Sequence, residues 1–244
     1  MTGRVPDPAF PLRGDEAVPW FEALLLDRET RCRHAFSTRR GDRNRLWEAL
    51  DLPRPPLVPR QVHGDAVLVL EAGNLEACRA EAPEADAVVT ALRGEPIAVL
   101  TADCVGIIVW DRRTPALGVV HAGWRGTARA VLAKALATMA GVFGTQAGDC
   151  TAAVGPSIGP ECYPVGRDVY DAFAGAPGVL VSDGPARWRL DLREANRRQL
   201  VDGGVAADRI AVCPYCTSCE TDWFYSARRD HGAPGRQAAV AMIS

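Results

Sequence analysis

A chain of 244 residues that is 48% hydrophobic and 24% charged has enough apolar surface to bury a sizeable core, in one large domain or two small ones. Its net charge of −2 and pI near 6.1 create no global field toward nucleic acid or a membrane surface, and its apolar stretches are too short to span a bilayer. The proline-rich first 13 residues carry no charged-then-apolar signal pattern, so a cytoplasmic address is expected, and with it eight reduced cysteines.

Residues 1–20 hold four prolines besides Gly3 and Gly14 and read as an irregular N-terminal arm. The segment 34–38 reads as a short strand ending at Arg39-Arg40-Gly41. Leu46, Trp47 and Leu50 give 44–52 a helical spacing that Pro53, Pro55, Pro56 and Pro59 stop. Compact runs rich in Val and Ile predict strands over 66–70, 87–91, 97–102, 106–110 and 117–122. A single long helix is predicted over 127–143, where Val131, Leu132, Ala135, Leu136 and Met139 share one face and Gly144 lies past the end. A strand over 150–154 leads into the turn-rich Gly155-Pro156-Ser157-Ile158-Gly159-Pro160. A helix over 165–174 follows. Asp191 and Glu194 then stand at capping-box spacing ahead of a helix reaching 201, and late strands are expected over 209–213 and 237–243. No repeat, charge block or low-complexity linker divides the chain, so 21–244 reads as a single catalytic domain.

The chemistry concentrates in three short segments: Gln61-Val62-His63-Gly64, Thr101-Ala102-Asp103-Cys104, and His121-Ala122-Gly123-Trp124-Arg125-Gly126. Two of the four histidines in the protein fall here, and Cys104 and His121 each follow an apolar run. A polar residue at the end of a buried strand is where α/β folds commonly build sites. One thiolate and two imidazoles make three good transition-metal ligands with a fourth position open to substrate or water. The same residues also suit a Cys–His catalytic pair with a bystander. Taken singly, a cysteine is as readily a small buried hydrophobe and a histidine a surface or capping residue. Three together in turns at strand ends favour a site.

Arg125 stands where the predicted long helix begins, beside N–H groups that attract a phosphate or carboxylate; its alternative is a solvated flanking charge. Cys213-Pro214-Tyr215-Cys216-Thr217-Ser218-Cys219 offers three thiols at zinc-knuckle spacing. A closed structural site needs four ligands, and no second Cys-x-x-Cys exists. Cys162 or His231 would have to complete it, so ordinary packing or site-lining thiols are expected. Arg228 and Arg229, next to Phe224 and Tyr225, suit either an ion pair with Asp230 or an anion contact.

Taken in order, the three segments above, Gly155-Pro156-Ser157-Ile158-Gly159, Cys216-Thr217 and the tail from Phe224 to Gln237 resemble the YfiH family. Its members are variously called laccase-domain or multicopper polyphenol oxidoreductase, peptidoglycan-editing factor and purine nucleoside phosphorylase. The resemblance runs from about His34 to the C-terminus. It implies a single α/β/β/α sandwich with mixed sheets, related to cysteine-dependent deamidase toxins. It also implies that His63, Cys104 and His121 bind a metal, usually zinc, with purine nucleosides above it. Two departures bear on substrate preference. The glycine- and asparagine-rich loop of the family is cut short after Arg39, and Ala227 stands where relatives carry a histidine or tyrosine ring.

Counting histidines limits the copper reading. Two His and one Cys suit a single copper, but a trinuclear cluster needs many imidazoles, and only His34 and His231 remain. Phenol oxidation would then be an adventitious property of one bound Cu2+. The leading expectation is a Zn2+-dependent phosphorylase of purine nucleosides (adenosine, inosine and, as a further candidate, methylthioadenosine) with adenosine deaminase side activity. Its partners would be nucleoside and phosphate, with no nucleic acid or membrane. Arg39, Arg60, Arg125 and Arg228 are the candidate phosphate or substrate ligands, and Asp103 the carboxylate expected to orient a metal ligand. Two other readings stand beside it. One is a Cys104–His121 amidase or hydrolase acting on peptidoglycan precursors. The other is a non-catalytic zinc-stabilised module that binds nucleosides.

Overall fold

The computed structural model describes residues 7–27, 31–231 and 235–244. Two sheets lie face to face. The first runs in the order Leu12–Arg13, Trp20–Phe21, Cys32–Ser37, Gln237–Ile243 and Ile97–Thr101, every neighbouring pair antiparallel. The second has six strands in the order Ile210–Val212, Cys150–Val154, Val105–Asp111, Ala116–Ala122, Ala87–Thr90 and Val67–Leu70. Its two outermost pairs are parallel and the rest antiparallel.

The period-two alternation of the strands sorts their side chains into layers. Ile108, Trp110, Leu117 and Val119 join Phe36, Val99, Ala239 and Ala241 in the core between the sheets. Their neighbours Ile107, Val109, Ala116 and Val120 point the other way and are covered by Val131, Leu132, Ala135, Leu136 and Met139 of the helix Val131–Phe143, together with Leu192, Ala195 and Leu200 of Leu192–Asp202. The outer face of the first sheet presents Ala35, Ala98 and Val240 to Leu46 and Leu50, which lie in and just past the helix Arg43–Ala49. The result is the α/β/β/α sandwich, with no closed barrel. Because both faces are covered, every residue of Val105–Asp111, Ala116–Ala122 and Gln237–Ile243 is buried.

Two expectations are corrected and a third holds in its main part. The helix predicted over 127–143 is two helices, Trp124–Ala128 and Val131–Phe143, and Ala130 between them is left-handed at φ 60°. The break is tertiary in origin. The Nε2 of Gln199 donates to the Thr127 carbonyl at 2.7 Å, and the Nδ2 of Asn196 donates to the Thr127 hydroxyl at 3.1 Å, so the long C-terminal helix fixes the turn. The lead-in expected as an irregular arm supplies two short strands, and its Phe10 is wholly buried with its ring 6.1 Å from that of Phe36; residues 1–6 lie outside the described residues. Asp191 does cap its helix, accepting from the Glu194 N–H at 3.0 Å, but the Glu194 carboxylate binds Arg197 and Arg198 instead of reaching back. A helix, Leu75–Ala80, and a three-stranded sheet of Pro164–Val165, Trp188–Leu190 and Leu180–Ser182 were not anticipated.

Candidate metal centre

The site forms at one end of the six-stranded sheet. The turn 102–104 carries the chain from Ile97–Thr101 in one sheet to Val105–Asp111 in the other, so Cys104 sits where the two sheets are joined. Val105 pairs with Ala122, which brings His121 to the same end. On the other side of that strand, Ala87 pairs with Val120, and this register carries Asp86 to His121.

Asp86 organises the whole turn. Its Oδ1 lies 2.7 Å from the His121 Nδ1, and the same carboxylate accepts the backbone N–H groups of His63 at 3.1 Å and Gly64 at 2.6 Å. Burial works against its charge, but the bonds from His121 and Gly64 outweigh it and hold the carboxyl below its ordinary range. His63 itself is held left-handed at φ 58°, and its ring stands edge-on to that of His121 with centroids 4.9 Å apart.

One donor atom from each of His63, Cys104 and His121 lies within 4.8 Å of the others, an arrangement able to hold a metal ion. Because Asp86 takes Nδ1 of His121, the opposite nitrogen is the one turned to Cys104. Gly123 makes room: a Cβ there would stand 2.9 Å from the Cys104 Sγ and 3.3 Å from the His63 ring. Burial raises the Cys104 thiol, yet His121 and His63 bring it down to about 6. Burial likewise lowers His121, yet Asp86 and then Cys104 lift it to about 9. Both shifts run toward a thiolate facing an imidazolium, the thiolate being the form in which sulfur binds a metal.

A cavity of about 320 Å³ opens over these three side chains, with Leu100, Ala227 and Arg236 among its other walls. Ala227 contributes only a methyl group to that wall. Across the site, burial and then Cys104 push the Tyr163 phenol up to about 12, against the opposing charges of Arg228 and Arg125.

The structure separates the other expected residues. Asp103 does not orient a donor atom; that place belongs to Asp86. The Asp103 carboxylate accepts from the Thr217 hydroxyl at 2.6 Å, the Ser226 hydroxyl at 3.1 Å and the Arg228 N–H at 2.7 Å, tying the turn at Thr217 and the one at 226–228 to the base of the Cys104 turn. Arg125 is exposed within a single-turn helix and stacks over Trp124 at 4.3 Å, so the long-helix dipole expected beside it is absent. Arg60 pairs with Glu84 at 2.7 Å. Arg39 donates to the Thr221 carbonyl and lies 5.2 Å over Tyr225, and Arg228 donates to the Pro164 carbonyl over Tyr163. None of these four lines the cavity; Arg236, which sequence reasoning passed over, does. Cys213 is buried in the inter-sheet core, where burial pushes its thiol up to about 12. The Nε2 of His34 is spent on the Ala23 N–H at 2.9 Å, well inside the fold.

An α/β/β/α sandwich with a His, Cys, His cluster where its two sheets join defines the laccase-domain class of protein. The chain belongs to the multi-copper polyphenol oxidoreductase laccase family, whose model matches residues 33–244. It is 39% identical over 206 residues to a purine nucleoside phosphorylase of Xylella fastidiosa, covering 83% of this chain and 77% of that one. It is 39% identical over 182 residues to an adenosine deaminase from an unknown prokaryotic organism, covering 71% and 69%. Among solved structures it resembles YlmD of Geobacillus stearothermophilus, with a TM-score of 0.86 and 29% identity over 96% of this chain and 98% of the other. It also resembles a YfiH protein of Bacillus licheniformis, with a TM-score of 0.85 and 26% identity over 96% and 99%. Enzymes of this family thus include proteins named for phosphorolysis and for deamination of purine nucleosides.

Proposed function

We propose that this enzyme is a zinc-dependent purine nucleoside phosphorylase acting on adenosine and inosine, with adenosine deamination as a side reaction. The observation that carries the proposal is the convergence of His63, Cys104 and His121 at the floor of a cavity that also holds Arg236. The donor set fits Zn2+, being borderline-soft and three in number, and leaves a position for substrate. Zinc bound there supplies Lewis-acid polarisation of a substrate oxygen or nitrogen. The same donors also suit one copper ion, which would carry any phenol oxidation.

Phosphorolysis forms a bond from a phosphate oxygen to the ribose C1′ and breaks the bond from C1′ to the purine nitrogen, which leaves with the electron pair. The protein must hold a doubly charged anion next to a flat heteroaromatic base. The guanidinium of Arg236, on the cavity wall, would take the anion, and Leu100 with the space over Ala227 would take the base. Asp86 acts through others, fixing the His121 ring and the His63 turn.

The direct test is to incubate the protein with adenosine with and without phosphate. Adenine and ribose 1-phosphate should appear only with phosphate, and inosine should appear in both. No ribose 1-phosphate at any phosphate concentration would overturn the phosphorylase assignment.

A second reading is favoured by the order of contacts Cys104, His121, Asp86, which is that of a thiol nucleophile, its base and the carboxylate that orients the base. An amidase of this kind needs no metal. Activity that survives a chelator but is lost on alkylation of Cys104 would support it over the phosphorylase.

A further inference from the structure

Away from the His63, Cys104 and His121 cluster, the fold assembles a second group of soft ligands. Glu161 and Cys162 lie in the single-turn 3-10 helix Pro160–Cys162, and Cys216 and Cys219 in the turn after Ile210–Val212. One donor atom from each of the four lies within 4.8 Å of the others. The Cys162 and Cys219 sulfurs are 3.3 Å apart, and the Cys219 sulfur is 3.8 Å from the Glu161 Oε1. Cys213, the other thiol of the local run, is in the core and takes no part.

We propose that Glu161, Cys162, Cys216 and Cys219 form a second, structural metal site that binds Zn2+ through three sulfurs and one carboxylate oxygen.

Two physical observations carry this. First, the count and chemistry are those of a closed tetrahedral site. Zinc–sulfur bonds of about 2.3 Å place the sulfurs about 3.8 Å apart, inside the span observed here. Second, one ligand is fixed by the fold: the buried Cys216 sulfur accepts the Gly159 N–H at 3.1 Å, which holds it against the loop that carries Glu161 and Cys162.

The site has a structural purpose. Thr217, between two of its ligands, donates its hydroxyl to Asp103, directly before Cys104. The Thr217 N–H also donates to the Ser157 carbonyl at 3.0 Å, in the loop that leads to Glu161. A metal here would clamp the 155–162 and 216–219 loops and, through Thr217 and Asp103, steady the turn that carries Cys104.

The test uses full-length protein purified under reducing conditions without chelator, with metal content measured by mass spectrometry. Cys104→Ser should retain one equivalent of zinc whatever the first site binds. The double variant Cys162→Ser with Cys219→Ser should lose that equivalent, and combining all three substitutions should leave the protein near zero. Cys219→Ser alone, at an exposed position, serves where the double variant does not fold. X-ray absorption of the Cys104→Ser protein should give a shell of three sulfurs and one oxygen. Its cobalt form should show sulfur-to-cobalt charge transfer. A Cys104→Ser protein with no zinc and freely titrating Cys162, Cys216 and Cys219 overturns the proposal. So does a Cys162–Cys219 disulfide in that protein as purified. Because the readout is taken with Cys104 removed, failure of the phosphorylase assignment leaves this result unaffected.

Discussion

The Asp86 carboxylate, wholly buried, binds the His121 ring at 2.7 Å and the backbone of the His63 turn at the same time. One side chain thus sets the position of two of the three donor atoms. Asp86→Asn keeps the shape but removes the charge, and an amide has a single acceptor oxygen for N–H groups that now share two. Zinc affinity should fall roughly 10- to 100-fold, measured by competition with a chelator. Stability should fall by about 1.5–3 kcal/mol, read from denaturant melts. An unchanged zinc affinity would remove Asp86 from the site.

Gly123 is required for space. Its φ of −78° and ψ of 173° suit any residue, so Gly123→Ala introduces contact with the Cys104 sulfur and the His63 ring without backbone strain. Overpacking of this kind costs about 1–3 kcal/mol, and a site held to tight tolerances loses more than the fold does. Zinc content after dialysis should fall by the equivalent held at His63, Cys104 and His121, with that of the second site kept, while the far-UV spectrum is retained. A variant that keeps its zinc would show that the donors do not close on one ion.

Arg236 should carry the phosphate. Removing one charge-assisted contact costs about 1.5–3 kcal/mol, so Arg236→Ala should raise the phosphate KM roughly 10- to 100-fold and leave adenosine deamination largely intact. Arg60→Ala, whose guanidinium is paired with Glu84 outside the cavity, should change neither rate by more than about twofold. Steady-state kinetics with varied phosphate decide the matter. If Arg125→Ala shows the larger effect, the anion site is at Arg125 and not at Arg236.

A stability change with pH is expected at Glu194. Its bonds to Arg197, and then to Arg198, overcome burial and lower its carboxyl to about 2. A depressed carboxyl stabilises the fold above its unfolded value of about 4.3 and loses that contribution as pH falls toward 2. The pairs are partly exposed, so Glu194→Gln should cost only roughly 0.5–1 kcal/mol at neutral pH. The difference from wild type should shrink between about pH 4.3 and 2, and urea melts across that range test it. A constant difference would mean that the pairs contribute nothing.

What the sequence disclosed was local. His63, Cys104 and His121 stood out because each closes a short apolar or glycine-flanked segment, and the strands over 150–154 and 237–243 match Cys150–Val154 and Gln237–Ile243. What it withheld depends on partners distant in the chain. Asp86 lies 23 residues from His63 and 35 from His121; a parallel pairing of strands joins it to the first and an antiparallel one to the second. Asp103 looked like the orienting carboxylate because it adjoins Cys104, yet the turn directs it away toward Thr217 and Ser226. The break at Ala130 has no glycine or proline to announce it, since Gln199 and Asn196 impose it from another helix. Cys162 and Cys219 are 57 residues apart, so no spacing rule joins them. Strands of two residues, as at Leu12–Arg13, are too short to show any alternation.

The turn bearing Cys104 passes from one sheet to the other, whereas His121 and Asp86 belong wholly to the second. The sheets approach so closely here that a Cβ on Gly106 would lie 2.7 Å from that of Ala239. The distance from sulfur to imidazole is therefore a measure of how the two halves of the sandwich are seated on each other. Substitutions in the oily layer between them, far from any ligand, would be felt first as a change in the bite of the metal site.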